Sequence, residues 1–594
     1  MLQALGGPVP PNTDHAVSVS LPTWQANIGY EEGEDWVLSK MQCGYPRFFV
    51  HPSIQKLAEE VIRRHGDVEV ESATLFPTKR TAQVCYSFMT SKVPQEDVAA
   101  VRILNFVPAR GADPSSLVSS LSCVLYPKQC ASVAKQVWQH SGNGISSRRS
   151  EFLLTALQDG YLVEEHSPSA PEKPRRLHKG PRRYQTKDSF DATSTKEPGS
   201  PPQTNGAREG KEYAQFIEER FGRNLNLSLA DRAKLAVRRR IAGSLTADVD
   251  LSEALETSSS DGRIAGLSED DVFLYPSGMS SIFNAHQILL HTLGQKKSIC
   301  FGFPYIDTLK ILEKWGPGCL FYGHGSAEDL DDIEKRLRGG ERFLALFTEF
   351  PGNPLLKSAD LRRIRALADE FKFAVVVDET VGNFINVNVL PYADIVVSSL
   401  TKIFSGDSNV MGGSAVLNPH GPFYRDLKDT YAAEFEDLVW AEDAVFLERN
   451  SRDFISRIEK INATAEAITD LLKASPITKE VYYPKYSPTK PLYDSFKNPR
   501  GGYGGLFSVT FHSTAQAVTF FDTLEIMKGP SLGTNFTLSC PYTLIAHYGE
   551  LDWARSFGVD PDLVRISVGL EDAADLSARF ERALTAAKDA SSQA

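Results

Sequence analysis

Apolar and polar positions fall into distinct regimes along the chain. Before about residue 163, the helix-period stretch SIQKLAEEVIRRH stands beside a strand-like run, AAVRILNFV, and together they predict a small α+β unit. From about Glu164 to Gly210 large apolar residues nearly vanish and Pro, Ser, Lys and Arg take over, the composition of a solvated linker. After it, helix-period stretches (SIFNAHQILLHTL, LRRIRALADEF) alternate with short apolar runs (SICFGF, AVVVDET, DIVVSSL). That alternation predicts an α/β fold with a mainly parallel sheet covered by helices on both faces. Beyond about residue 415 a long helical stretch, ISRIEKINATAEAITDLLKA, precedes FSVTF, VRISVG and a closing helix, DLSARFERALTAA, the outline of a smaller α+β unit. The expected organisation is an amino-terminal α+β extension over 1–163, a basic Pro/Ser-rich linker over 164–210, a large domain over 211–415 and a carboxy-terminal α+β domain over 416–594.

Composition narrows the partners. The 594 residues carry 64 Lys+Arg against 75 Asp+Glu, a formal charge of -11, so no general attraction to nucleic acid or an anionic membrane is expected. No stretch reaches the roughly 18 apolar residues of a membrane span, and MLQALGGPVPPNTDH has no basic start. A cytoplasmic protein is the expectation, with nuclear entry through the basic run Lys173 to Arg183 the less favoured reading. Seven cysteines form no CxxC pair and no Cys/His cluster, so reduced thiols and no metal site are expected.

The chemistry concentrates in AVVVDETVGNFINVNVLPYADIVVSSLTKIFSGDSNVMGG, where one strand ends in Asp378 and the next in SSLTK with Lys402. In open α/β sheets such strand ends form the ligand crevice. Singly, the lysine reads equally as a buried ion-pair partner and the aspartate as a helix cap. The set is more specific. A lysine amine forms a Schiff base with pyridoxal phosphate, and a carboxylate beside the pyridine nitrogen keeps that ring protonated. YPSGMSSIFNAHQILL puts Ser277, Gly278 and Met279 at a strand-to-helix turn, whose free amides suit a phosphate, and Ser399 and Thr401 flank the lysine with hydroxyls.

The motifs SGMSSI, EFPGNP, VVVDET, SSLTKIFSGDSNVMGG, GPSLG and RISVGLED stand in an order that resembles the Cys/Met-metabolism family of pyridoxal phosphate enzymes over about residues 211–590. With SLPTWQANIGYEEGEDW and GYPRFFVHPSIQKLA in a long extension, the chain is most similar to the fungal cystathionine γ-synthases of that family. The resemblance implies a fold-type I transferase, pyridoxal 5'-phosphate as cofactor, small amino-acid substrates, and a homotetramer, a dimer of dimers with active sites shared between subunits. It implies Lys402 as the Schiff-base lysine, Asp378 as partner of the pyridine nitrogen, and phosphate contacts from Gly278, Met279, Ser399 and Thr401. It further implies Arg565 for the substrate α-carboxylate, where a planar guanidinium binds two oxygens at once, with Ser531 and Asn353 orienting substrate and cofactor.

Three positions depart from the family. Its Tyr-x-Arg arm is matched by Glu218 and Arg220 in IEERFGRN, which keeps the arginine and loses the tyrosine. FGFPY offers Phe301 where a tyrosine usually stacks on the cofactor ring, with Tyr305 downstream. Phe536 stands where many members carry a glutamate for the amino group of the second substrate. The expected reaction is γ-replacement on O-acetyl-L-homoserine, or a similar O-acylhomoserine, with L-cysteine to give L-cystathionine. The alternatives are the same chemistry with sulfide or a carbon nucleophile in a specialised pathway, and a cystathionine lyase. Every cofactor motif is read after Gly210, so the extension is expected to be dispensable for the chemistry.

Overall fold

The computed structural model describes residues 4–46, 49–109, 119–165, 227–256 and 262–591. Nearly all of the expected linker, and Glu218 and Arg220 with it, lie outside the described residues.

The amino-terminal domain is an antiparallel four-stranded sheet of β1 (Glu71–Phe76), β2 (Arg102–Pro108), β3 (Leu121–Pro127) and β4 (Leu162–Glu164), ordered β1-β3-β2-β4. The helix Pro52–His65 covers it, because proline suits the first helical turn and Ile54, Leu57, Val61 and Ile62 form one apolar stripe. Arg63, Arg64 and His65 in its last turn complement the helix dipole.

The large domain is built on β5 (Val272–Tyr275), β6 (Ser298–Phe301), β7 (Cys319–Tyr322), β8 (Ala345–Glu349), β9 (Ala374–Asp378), β10 (Ile395–Ser399) and β11 (Gly413–Leu417), ordered β5-β11-β10-β9-β8-β6-β7. The block from β10 to β7 is parallel, as its continuous apolar runs predict. Val375, Val376 and Val377 are at most 1% exposed, and burying each contributes on the order of 1.5–3 kcal/mol. Only β11 runs against its neighbours. Its register pairs Gly413 with both Ser399 and Tyr275, so the ends of β5 and β10 meet at one edge of the sheet. That pairing brings the SGM turn beside the SSLTK strand end.

The carboxy-terminal domain adds β12 (Thr478–Tyr482), β13 (Leu506–Phe511), β14 (Met527–Lys528), β15 (Leu538–Pro541) and β16 (Val564–Ser567), ordered β12-β13-β16-β15-β14. Helices Phe454–Ala474, Thr514–Thr523 and Ala573–Ser591 close a core around Phe507, Phe520 and Phe580.

The amino-terminal domain is docked on both others. Phe88 stacks on Trp315 with ring centres 4.4 Å apart, Trp24 donates its backbone amide to Asp522 at 2.7 Å, and Arg148 pairs with Asp443 at 3.1 Å. Both side chains of that last pair are under a tenth exposed, so removing one partner costs about 3–5 kcal/mol. Among the described residues all seven cysteines are free thiols, no group of His, Cys, Asp and Glu is arranged to hold a metal ion, and no helix is long and apolar enough to cross a membrane.

Candidate active site

One cavity opens at the carboxy-terminal edge of β8, β9 and β10, and all three domains line it. Lys402 enters from the turn that follows β10. That turn is held by the Lys402 amide on the Ser399 carbonyl at 3.2 Å and by the Gly406 amide on the Lys402 carbonyl at 2.8 Å. The amine, on a side chain only 6% exposed as a residue, donates to Ser531 Oγ at 3.3 Å and to Tyr45 Oη at 3.0 Å. The Tyr45 ring also faces the amine, with 4.4 Å from Nζ to the ring centre.

Asp378 ends β9 and accepts from the Thr380 amide at 2.8 Å. Glu349 ends β8 directly beside it in register and accepts from the backbone amides of Tyr305 and Asn353. Both carboxyls line the cavity and are held above the usual carboxylate range, first by burial and, for Glu349, next by the charge of Asp378. Among the described residues neither has a cationic partner, in contrast to Glu379, which pairs with Arg263.

The helix Gly278–Leu293 points its amino terminus at the cavity. Ser277 caps it by accepting from the Ser280 amide at 3.1 Å and donates its own hydroxyl to the Gly142 carbonyl at 3.1 Å, so this side chain is already committed. Gly278 is required by close approach, since a Cβ there would stand 2.6 Å from that of Ser399. Thr401 lines the cavity, yet its hydroxyl is bonded both ways to Gly412, accepting from the amide at 3.1 Å and donating to the carbonyl at 3.3 Å. Opposite the helix end, Arg565 on β16 is 5% exposed and donates to Asn353 Oδ1 and to the carbonyls of Pro530 and Ser531. Among the described residues no carboxylate pairs with it, so the guanidinium at the cavity wall is available to an anion.

Lys402, Asp378, Ser277, Gly278, Met279, Ser399, Thr401, Asn353, Arg565 and Tyr305 therefore line one cavity, and Ser531 reaches it through Lys402. Phe301 does not. It is packed in the core at the end of β6, 2% exposed, and faces a smaller neighbouring cavity. Phe536 is also absent from the main cavity wall, its backbone lying against Gly569.

The motifs read after Gly210 are not the whole of the cavity wall. Tyr45, Pro46, Trp138, Gln139, Gly142 and Gly144 of the amino-terminal domain line the same cavity. Tyr45, Pro46, Gly142 and Gly144 sit outside helices and strands with no periodic signal, and Trp138 and Gln139 lie in the last turn of the helix Ala131–Ser141, whose pattern does not say which face meets a cavity. One signal was present: the Tyr-x-Arg spacing, imperfect at Glu218 and Arg220, is intact at Tyr45, Pro46 and Arg47. Arg47 itself lies outside the described residues.

The donor set fits pyridoxal phosphate. An amine, an unpaired carboxyl for a protonated ring nitrogen, a helix amino terminus for a phosphate and an unpaired guanidinium for a substrate carboxylate surround one space. The turn at Gly142 is shaped to this helix end: its φ is 59°, and a Cβ there would meet Ser277 Oγ at 2.4 Å and the Ser280 amide at 2.7 Å. Gly142→Ala adds left-handed strain of about 1–2 kcal/mol to that clash, and cofactor affinity is expected to fall at least about tenfold. Titration of the cofactor-free protein, followed by visible absorbance, measures this. Unchanged affinity would remove the turn from the cofactor site.

Comparison with known proteins gives a match of residues 254–585 to the model described as Cys/Met metabolism PLP-dependent enzyme, and of residues 53–146 to that of the fungal trans-sulfuration enzyme, N-terminal domain. The chain is 50% identical to the cystathionine gamma-synthase of Neurospora crassa, over 99% of each chain. It is 42% identical to the cystathionine gamma-synthase-like enzyme iboG2 of Amanita muscaria, covering 99% of this chain and 97% of that one. It is 39% identical to the cystathionine gamma-synthase of Saccharomyces cerevisiae, covering 98% and 99%.

Proposed function

Because the chain belongs to the Cys/Met-metabolism family of pyridoxal phosphate-dependent enzymes, we propose that it replaces the γ-acyloxy group of an O-acylhomoserine, O-acetyl-L-homoserine in particular, with the thiol of L-cysteine to give L-cystathionine. It is a PLP-dependent enzyme of the cystathionine gamma-synthase type, and small amino acids are its substrates. The observation that carries the reading is the convergence of the Lys402 amine, the Asp378 carboxyl and the Arg565 guanidinium on one cavity.

Pyridoxal phosphate, when bound, supplies an electron sink for negative charge developing at Cα and beyond. Lys402 would hold it, and Asp378, as a carboxylate, would keep the ring nitrogen protonated. The amides of Gly278 and Met279 and the Ser399 hydroxyl would take the phosphate. Tyr305, at the cavity wall, has the ring-facing role in preference to Phe301. Arg565 binds the substrate α-carboxylate, and Asn353 fixes Arg565 through their hydrogen bond at 3.2 Å. Bound in the cavity that both residues line, the substrate would present Cα to Lys402 Nζ, which would remove the Cα proton and then one from Cβ. Acetate would leave Cγ with the C–O bonding pair, the cysteine sulfur would bond to Cγ as its thiol proton passes to solvent, and Nζ would return protons to Cβ and Cα. Ser531 and Tyr45 hold the amine on its path between these carbons.

A second reading keeps this chemistry but gives the nucleophile no ammonium, as with sulfide or a carbon acid. It is favoured by the apolar part of the wall, Ile282, Ile306, Leu532, Ile545 and Ala546, which offers an ammonium no partner. A competition assay with O-acetylhomoserine and equal concentrations of cysteine, sulfide and a β-keto acid, read by mass analysis, separates the two. Cystathionine is the expected main product. If it is a minor one, the nucleophile assignment is wrong and the second reading replaces it.

A further inference from the structure

We propose that Tyr542 is a positioning residue for the substrate α-carboxylate: its ring holds the plane of the Arg565 guanidinium, and its hydroxyl orients the Asn353 amide that binds that guanidinium. The inference rests on the functional reading in taking Arg565 as the partner of the carboxylate.

Tyr542 is 4% exposed and lines the main cavity, at the start of the short helix Tyr542–His547. The sheet fixes its place relative to Arg565. β15 and β16 run antiparallel with Cys540 opposite Arg565 and Pro541 opposite Val564, and the Tyr542 amide continues that ladder by donating to the Leu563 carbonyl at 3.0 Å. One pair of strands therefore carries both side chains to the cavity, where Arg565 Cζ stands 4.7 Å from the centre of the Tyr542 ring. A guanidinium is planar and weakly hydrated, so an aromatic ring against one face restrains it and leaves its N–H edges free to bond.

Those edges are divided between the protein and the cavity. Nη2 donates to the carbonyls of Pro530 and Ser531, and Nη1 donates to Asn353 Oδ1. Arginine offers no acceptor, so Asn353 must turn its oxygen to Arg565, which sends its amide nitrogen the other way. That nitrogen donates to Tyr542 Oη at 3.3 Å. The Asn353 backbone is held as well, its amide donating to Glu349 at 3.0 Å. Arg565, Asn353 and Tyr542 thus close a ring of contacts in which each fixes the other two. An aromatic that only filled the wall would need neither the stacked face nor the hydroxyl bond, and leucine would replace it without loss of binding.

Two variants test this. Tyr542→Leu removes face and hydroxyl together, and Tyr542→Phe keeps the face. The first readout is KM for O-acetyl-L-homoserine. The second is the dissociation constant of L-norvaline, which has the carboxylate without a leaving group, followed through the cofactor's visible band. Both are expected to rise at least about tenfold in the leucine variant and about threefold in the phenylalanine one. Saturated kcat and affinity for pyridoxal phosphate should stay within about twofold, the signature of lost binding rather than lost chemistry. Unchanged binding in Tyr542→Leu overturns the proposal, as does phenylalanine no better than leucine, or a parallel loss of kcat and cofactor that marks general distortion. Should the leucine variant fail to fold, Tyr542→Phe decides, and wild-type values there sink the proposal.

A double-variant cycle shows whether the effect passes through Arg565. Arg565→Lys leaves no planar group to stack, so adding Tyr542→Leu to it is expected to lower kcat/KM by no more than about twofold further. Full additivity would reveal a route that bypasses the arginine and would overturn the proposal. Arg565→Lys with wild-type affinity for both amino acids would instead overturn the functional reading of Arg565, a result distinct from an impaired Arg565→Lys beside an unimpaired Tyr542→Leu.

Discussion

Lys402→Ala is expected to reduce turnover by at least about 10³-fold and to leave no cofactor fixed to the chain by borohydride. Two separate losses add here: the amine that bonds to the cofactor, and the base that moves protons between the substrate carbons. The fold should survive. The side chain makes two hydrogen bonds, to Tyr45, which lines the cavity, and to Ser531 behind it, and removing the amine opens that space to water from the cavity. The cost to stability is therefore about 1–2 kcal/mol, within what a chain this size tolerates. Thermal melting checks the fold, and mass analysis after borohydride treatment checks the attachment. Turnover near that of the wild type, or cofactor fixed at a different lysine, would refute the assignment of Lys402.

How much of this was legible in the sequence depends on the range of each interaction. Asp378 and Lys402 follow apolar runs whose length and flanks predict strands, and in a parallel sheet adjacent strand ends are neighbours in space. The SGM turn was legible for the same reason, although the antiparallel strand β11, inserted between β5 and β10, is what brings Ser399 against Gly278. The uses of individual hydroxyls were not legible. Ser277 and Thr401 carry the right atoms, but Ser277 caps a helix and holds Gly142, and Thr401 closes the Gly412 turn. Tyr45 meets Lys402 across 357 positions, from a loop whose composition carries no period. Its spacing to Arg47 is the one mark it carries in the sequence. Glu349 escaped because EFPGNP was read for Asn353, while its carboxyl, one strand from Asp378, is raised by burial and by that neighbour's charge.

That neighbouring pair gives Asp378→Asn two effects of opposite sign. In the cofactor-free protein, burial raises the Asp378 carboxyl above its unfolded value, and Glu349 beside it is raised as well. A raised acid binds its proton more tightly folded than unfolded, so its contribution is fully present below the usual carboxylate range and is lost as pH rises through the folded pKa. Asparagine has no charge to bury and can still accept from the Thr380 amide. The cofactor-free variant should then be more stable than wild type by about 1–3 kcal/mol near pH 8, with little difference near pH 3, below the unfolded pKa, and Glu349 should ionise more readily once its charged neighbour is gone. Activity moves the other way. Without a carboxylate beside it the ring nitrogen loses the partner that keeps it protonated, and turnover is expected to fall by about 10³-fold. The rise in melting temperature on adding pyridoxal phosphate should shrink in the same variant, because the anion that offsets the ring's positive charge is missing. Melts at the two pH values, with and without cofactor, read all three consequences. A variant that keeps the wild-type pH dependence and the wild-type cofactor response would show that Asp378 faces neither the cavity's charge nor the cofactor ring.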